Sequence, residues 1–334
     1  MRAWTVHRPG SMSGEPLRPH RLPVPEPGPG EVLLRVRACG VCRTDLHIVE
    51  GDLELRTPEI TPGHEIVGEV VASGSGAVRF APGDRIGVAW LRGTCGVCAY
   101  CRRGRENLCL WSVYTGWDAP GGYAEYALAT EAYAYELPDD PAWTDERVAP
   151  LLCAGIIGYR ALRRAALPPG GRLGVWGFGG SAHLAAQVAI AEGAMVHVFT
   201  RSAQARELAL GLGAATAQGV FDPAPEPLDS AVIFAPAGEI VPAALSALDR
   251  GGTCAVAGIH LSDVPSLDYH RHLFYERNLR SVTSNTRGDG EEFLRLAWRL
   301  DLRVATQPYG LDEAARALTD LAEDRVNGAA VLVA

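Results

Sequence analysis

The feature that most restricts this chain is a ladder of four cysteines, Cys95, Cys98, Cys101 and Cys109, spaced C-x2-C-x2-C-x7-C within the segment GTCGVCAYCRRGRENLC. A loop so rich in glycine and arginine cannot bury enough apolar surface to fold by itself. Four thiolates on one short segment can close a tetrahedron around a zinc ion, which then replaces the missing core. Such a donor set leaves no open coordination position, so its expected role is structural. An iron–sulfur cluster competes, because C-x2-C-x2-C resembles ferredoxin ligation, but the fourth cysteine comes seven residues later and is not followed by proline. Chance or disulfide-paired thiols are the plainest alternative.

The chain has 334 residues, 47% hydrophobic and 21% charged, enough for two packed domains and too apolar for disorder. Its formal net charge of −8 argues against the basic face of a nucleic-acid binder, so no nucleic-acid partner is expected. All 31 residues of the Lys and Arg class are Arg. That excludes a Schiff-base or pyridoxal-phosphate lysine and a Walker-type phosphate loop, each of which needs an ammonium group. The start, MRAWTVHRPG, lacks a secretory apolar core, and no run of about 20 apolar residues offers a membrane span. The expectation is a cytoplasmic protein with no membrane partner, whose eight cysteines stay reduced, so that their clustered spacing calls for metal or catalysis.

Residues 20–30 are dense in proline, after which 31–38 (EVLLRVRA) alternate as a half-buried strand does. Residues 66–72 and 85–89 are further β-like runs separated by a PGD turn, so the first stretch reads as a loop-rich β domain. Around residue 150 the texture changes. Apolar strands at 173–176, 195–199, 231–234 and 253–257 alternate with alanine-rich helices at 181–192 and 203–212, each helix closed by a glycine, Gly193 or Gly213. This is the pattern of βαβ units on a parallel sheet. Helices at 291–300 and 311–323 and a strand at 329–333 complete the chain.

A second set of metal-binding residue types is dispersed: Cys42 in GVCRTDLH, His64 in PGHEIVGE and Cys153 in PLLCAG. Two thiolates and an imidazole leave the fourth corner of a zinc tetrahedron free for water or substrate. Taken singly, a His is more often a core or surface residue, and a Cys a small buried hydrophobe. With GVCRTDLH and the four-cysteine loop, the segments PGHEIVGEV at 62–70 and GGYAEYAL at 121–128 and the glycine motif GFGGSA at 177–182 closely resemble the zinc-dependent medium-chain alcohol dehydrogenases over nearly the whole chain. A Cys2His site is the known catalytic arrangement of that family.

The resemblance implies an α/β protein of two domains: a GroES-like, β-rich catalytic domain of residues 1–152 completed by 287–334, and a Rossmann doubly wound parallel sheet of residues 153–286. It implies two zinc ions per chain. One is catalytic, on Cys42, His64 and Cys153 with Glu65 behind it or exchanging with its water, and the other is structural, on Cys95, Cys98, Cys101 and Cys109. Asp45 would orient His64 through a carboxylate–imidazole hydrogen bond. Thr44 would accept the substrate hydroxyl proton and pass it toward His47, three residues on and on the same helical face. The reaction implied is hydride transfer between an alcohol or aldehyde and a nicotinamide cofactor.

The motif Gly177-x-Gly179-Gly180-Ser181-Ala182 follows a strand and opens a helix, so its backbone can approach a pyrophosphate at the helix N-terminus. The next strand ends VHVFTRS, placing Thr200 where an aspartate would favour NAD, with Arg201 after it. A hydroxyl and a guanidinium accept a 2'-phosphate without carboxylate repulsion, so NADP(H) is expected over NAD(H). As a solvated loop residue instead, Arg201 would leave dual use open. By family position Gly258, Ile259, Ser284 and Asn285 would touch the nicotinamide and Arg43 the pyrophosphate. A second family arginine is missing, because the chain reads Asn327-Gly328-Ala329-Ala330 there.

Trp90, Leu91, Tyr114 and Trp117 flank segments that line the alcohol pocket in relatives, and aromatic walls suit primary or simple secondary alcohols and aldehydes over charged polyols. His183, His270 and His272 read as structural, and Cys39 and Cys254 as buried thiols. The competing readings are a polyol dehydrogenase of the same superfamily and a non-catalytic NADP(H)-binding redox sensor. A homo-oligomer, dimer or tetramer, is expected from the resemblance.

Overall fold

In the computed structural model, which describes residues 1–326 and 328–334, the alternating segment at 31–38 is part of a longer strand, Glu31–Val41. Val32, Leu34 and Val36 are buried in it, while Arg35 and Arg37 face out. It is central to a seven-stranded sheet in the order Thr306–Gly310, Ala329–Val333, Glu31–Val41, Glu65–Ser73, Arg85–Val88 and Ala134–Glu136, with Tyr126–Thr130 also paired to Glu31–Val41. All pairs are antiparallel except that of the two C-terminal strands. The sheet belongs to a first unit made of Met1–Cys153, Ser284–Glu291 and Val304–Ala334.

Register in this sheet delivers distant residues to one place. Gly40 pairs with Glu65, and Ile66 pairs with Val88, so the exit of the first strand, the entry of the second and the exit of the third lie at the same end. Cys42 and the Arg43–Glu50 helix follow the first strand, His64 precedes the second, and Trp90 follows the third. Cys153 arrives on the short Ala149–Leu152 turn, whose residues are fully buried.

The second unit comprises Ala154–Thr283 and Glu292–Arg303. Its six strands are all parallel, in the order Thr216–Gln218, Met195–Phe199, Arg172–Trp176, Leu228–Ile233, Leu248–Val256 and Asn278–Ser281. Counted within this unit, that order is 3-2-1-4-5-6, the doubly wound arrangement in which ligands sit at the point where the order reverses. Leu173, Val175, Val196, Val198, Ala231 and Val232 are buried, as expected of strands covered on both faces.

Two placements differ from the sequence expectation. Residues 292–303, expected with the first domain, join the second unit, because Phe293 is fully buried and its ring fills the space over Gly155 of the Ala154–Ala165 helix. Cys153, Ser284, Asn285 and Thr286, expected with the dinucleotide-binding domain, belong to the first unit. The helix expected at 291–300 begins earlier, at Arg287, because Thr286 and Asp289 cap it reciprocally: Thr286 N–H donates to Asp289 Oδ2 at 2.7 Å, and Asp289 N–H to Thr286 Oγ1 at 3.1 Å. No helix among the described residues is long and apolar enough to cross a membrane.

Candidate metal centres and cofactor site

Cys42 is the N-cap of the Arg43–Glu50 helix, and Asp45, in its first turn, returns a hydrogen bond to the Cys42 N–H at 2.9 Å. That carboxylate is completely buried and engages four donors. Its Oδ2 accepts from Cys42 N–H and, at 3.3 Å, from the Tyr123 hydroxyl, while its Oδ1 accepts from Gly63 N–H at 3.1 Å and from His64 Nδ1 at 2.9 Å. An ionised carboxylate can only accept, so His64 carries its proton on Nδ1 and turns the Nε2 lone pair the other way. Nε2 lies 3.2 Å from Cys153 Sγ, which is 4.0 Å from Cys42 Sγ. With a Glu65 oxygen, these ligand atoms fall within 4.8 Å of one another. The Glu65 carboxyl fits there because it occupies the space that a Cβ on Gly40 would take.

These separations suit zinc. Tetrahedral bonds of about 2.3 Å to sulfur and about 2.0 Å to nitrogen require roughly 3.8 Å between sulfurs and roughly 3.5 Å between sulfur and nitrogen. The protonation preferences of the four groups differ, and a bound cation would favour the deprotonated form of each. The hydrogen bond with Cys153 draws the Cys42 thiol well below its usual range against the opposing effect of burial, with His64 assisting. Cys153, the partner in that bond, is pushed up correspondingly. Burial raises the Glu65 carboxyl well above the usual carboxylate range. Burial pulls the His64 imidazole down, but Asp45 and Cys42 together raise it above its ordinary value.

The four-cysteine loop forms the other cluster, with Sγ separations of 3.5 Å for Cys98–Cys101 and Cys95–Cys109 and 4.0 Å for Cys95–Cys101. Backbone N–H groups aim at the sulfurs, Cys98 N–H at Cys95 and Cys95 N–H at Cys109, both at 3.4 Å. Backbone donors at Val97 and then Cys98 lower the Cys95 thiol to about 6, whereas burial lifts Cys101 to about 11. A cation that accepts four thiolates would settle this uneven set.

Thr44 is buried with its Oγ1 3.7 Å from Cys42 Sγ. His47 sits one turn later, its Nδ1 2.7 Å from Asp52 Oδ2. Trp90 meets the His64 ring edge-on at 4.9 Å and stacks on Tyr114 at 4.9 Å and on Trp117 at 5.8 Å. Leu91 is buried on the short strand that pairs with Tyr114. The Arg56 guanidinium, which the sequence reading missed, covers the Trp117 ring at 3.7 Å and pairs with Asp118 at 2.8 Å.

In the second unit, Gly177 follows its strand with φ of +80°, and a Cβ there would meet Ala235 N at 2.9 Å. Gly179 is the N-cap of the Gly180–Ala191 helix with no side-chain cap, and the space over its α-carbon is open. The helix start through Gly180 and Ser181 therefore keeps backbone donors for a phosphate. Thr200 is buried, Arg201 is exposed, and Arg206 Nη1 donates to the carbonyls of Thr200 at 2.9 Å and Arg201 at 3.0 Å. Arg206 thus adds a second guanidinium to this corner, one that no sequence motif marks. Gly258 is half-buried and Ile259 exposed beyond the Leu248–Val256 strand.

Arg43, expected at a pyrophosphate, is ion-paired with Asp324. Asn327 lies outside the described residues. Cys39 and Cys254 are fully buried, and burial raises Cys254 to about 12, in keeping with inert thiols.

Comparisons with known proteins fit this geometry. Residues 28–139 match the family described as "Alcohol dehydrogenase GroES-like domain". The chain is 58% identical, over all of its length and 97% of the relative's, to the "Probable alcohol dehydrogenase AdhA" of Mycobacterium tuberculosis. Among solved structures, a thermostable alcohol dehydrogenase from Pyrobaculum aerophilum superposes with a TM-score of 0.91 at 26% identity, covering 100% of this chain and 99% of that one. CAD from Helicobacter pylori, solved in complex with NADP(H), gives 0.85 at 25% identity, covering 100% and 99%. Whole-length identity of this order, on the strand order and ligand spacing described above, makes the chain a member of the zinc-dependent medium-chain alcohol dehydrogenases, enzymes that exchange a hydride between an alcohol or aldehyde and a nicotinamide cofactor.

Proposed function

We propose that this chain is a zinc-dependent alcohol dehydrogenase or aldehyde reductase that prefers NADP(H) and acts on uncharged primary or simple secondary alcohols and the corresponding carbonyl compounds. The observation that carries the reading is the convergence of Cys42, His64 and Cys153, with the Asp45 carboxylate on His64 Nδ1. Those three side chains would hold the catalytic zinc, with Glu65 beside it, and Cys95, Cys98, Cys101 and Cys109 the structural one. Zinc bound at the first site would supply Lewis acidity toward an alcohol or carbonyl oxygen.

The protein's own groups do the rest. Thr44 Oγ1, beside Cys42, takes up or returns the substrate's hydroxyl proton. His47, held by Asp52, exchanges that proton with solvent. The stacked faces of Trp90, Tyr114 and Trp117, with Leu91 behind, exclude water and disfavour polyols. Gly177, Gly179, Gly180 and Ser181 receive the cofactor's pyrophosphate, and Gly258, Ile259, Ser284 and Asn285 the nicotinamide. Thr200, Arg201 and Arg206 receive the 2'-phosphate, with no carboxylate between residues 200 and 206 to repel it.

Metal analysis, cofactor titration and an alcohol and aldehyde screen test this together. Two zinc ions per chain, tighter binding of NADPH than of NADH, and a Cys42→Ala variant that keeps one zinc and its fold but loses turnover are expected. NADH binding as tightly as NADPH would refute the preference. Full turnover in Cys42→Ala would refute the catalytic assignment.

A further inference from the structure

Glu106 lies inside the four-cysteine loop, and its carbonyl accepts from the N–H of Cys109 at 2.9 Å. Its carboxylate is spent on one residue 181 positions away, Arg287. It accepts from the Arg287 backbone N–H at 2.7 Å, from Nη2 at 2.8 Å and from Nε at 3.1 and 3.2 Å. The same guanidinium lies 4.6 Å over the Tyr133 ring, and its Nη1 donates to the Ala132 carbonyl at 3.4 Å. Backbone and side chain of Arg287 are thus both fixed by the loop that carries the cysteines. A bidentate pair of this kind constrains direction as well as distance.

The residues just before Arg287 are under strain. Ser284 has φ of +51°, a left-handed conformation unfavourable for a residue with a side chain. Its Oγ is buried with no partner among the described residues. Asn285, 2% exposed, donates to the Thr286 carbonyl at 3.0 Å and reaches the Tyr135 hydroxyl at 3.5 Å. A strained turn with a buried, unpartnered hydroxyl, fastened from outside, is held in its conformation by its surroundings.

We propose that Arg287 is a positioning residue: through Glu106 it makes the four-cysteine loop hold Ser284 and Asn285 in the conformation that receives the nicotinamide cofactor. This rests on the cofactor reading above. It gives the structural cluster a second task, setting cofactor affinity in addition to folding its own loop.

The test compares Glu106→Gln, Arg287→Lys and the double variant with wild type. The readouts are zinc content, fluorescence titration with NADPH, kcat, and hydrogen–deuterium exchange of residues 284–290. Expected are two zinc ions retained, a Kd for NADPH raised about tenfold in each single variant with a smaller change in kcat, and faster exchange at 284–290. The double variant should lose no more than either single, since both break the same link. If Glu106→Gln does not fold, Arg287→Lys, which keeps the cation and loses the fork, carries the test alone. Wild-type Kd and wild-type exchange in the folded variants would overturn the proposal. A wild-type protein that binds neither NADPH nor NADH would instead refute the functional reading beneath it.

Discussion

Asp45 joins two loops that chain order keeps apart, and its four hydrogen bonds make it the side chain whose loss the catalytic site should feel most. Asp45→Asn is expected to weaken zinc binding at Cys42, His64 and Cys153 by about 10–100-fold, because an amide cannot accept from all four donors or hold the imidazole as firmly. Chelator competition followed by zinc analysis measures this, with the four-cysteine zinc as internal control. At the other site, Arg206→Ala should weaken NADPH by about tenfold and leave NADH nearly unchanged, read as the ratio of the two dissociation constants. The four-cysteine ladder was legible from its local spacing, whereas Cys42, His64, Glu65 and Cys153, scattered along the chain, could be grouped only through the family resemblance. Arg206 and Arg56 were not legible, since an arginine on a helix or loop reads as a solvated cation until its carbonyl or aromatic partner is located. The Glu106–Arg287 pair was equally hidden, being a contact that no local pattern encodes.

Strands with clean alternation or short apolar runs could be read directly: residues 195–199 and 329–333 match to the residue, and Glu31–Val41 and Leu248–Val256 prove longer than their apolar cores. The Ala154–Ala165 helix escaped notice because Gly155 and Gly158 lower its intrinsic propensity. Tertiary packing supplies the reason for one of them, since the Phe293 ring rests where Gly155 lacks a Cβ. Phe293→Ala should destabilise the second unit by about 3–5 kcal/mol, measured as a shift in the denaturation midpoint at constant m-value. The helix beginning at Arg287 was read four residues late because its capping pair, Thr286 and Asp289, lies in a glycine-rich stretch that resembles a loop. The strand order of the parallel sheet is not written in the alternation of strands and helices, since doubly wound sheets occur in more than one order. The short strand Ala134–Glu136 depends on a partner at Arg85–Val88, about fifty residues back, and left no sequence signal.

Across the molecule, stability should depend on pH through buried histidines. Burial depresses the imidazoles of His183 and His197 below their ordinary value, against weaker opposing contacts with the Gly179 carbonyl and Glu226 respectively. A depressed folded-state value means that the unfolded chain takes up the proton first. The contribution is therefore complete above about pH 6.5 and is lost as pH falls through that value toward the folded-state one. The thermal midpoint should drop on acidification below about pH 6.5, and His183→Gln should flatten that drop; an identical pH profile in the variant would exclude His183 as the cause. The Asp45 clamp has a consequence at this scale too. One carboxylate ties down the backbone at Cys42 and Gly63 using only bonds internal to the polypeptide. Demetallation at the catalytic centre should accordingly be reversible without renaturation: stripped protein ought to take the ion back with no refolding step, behaving as a socket rather than as a knot that must be retied.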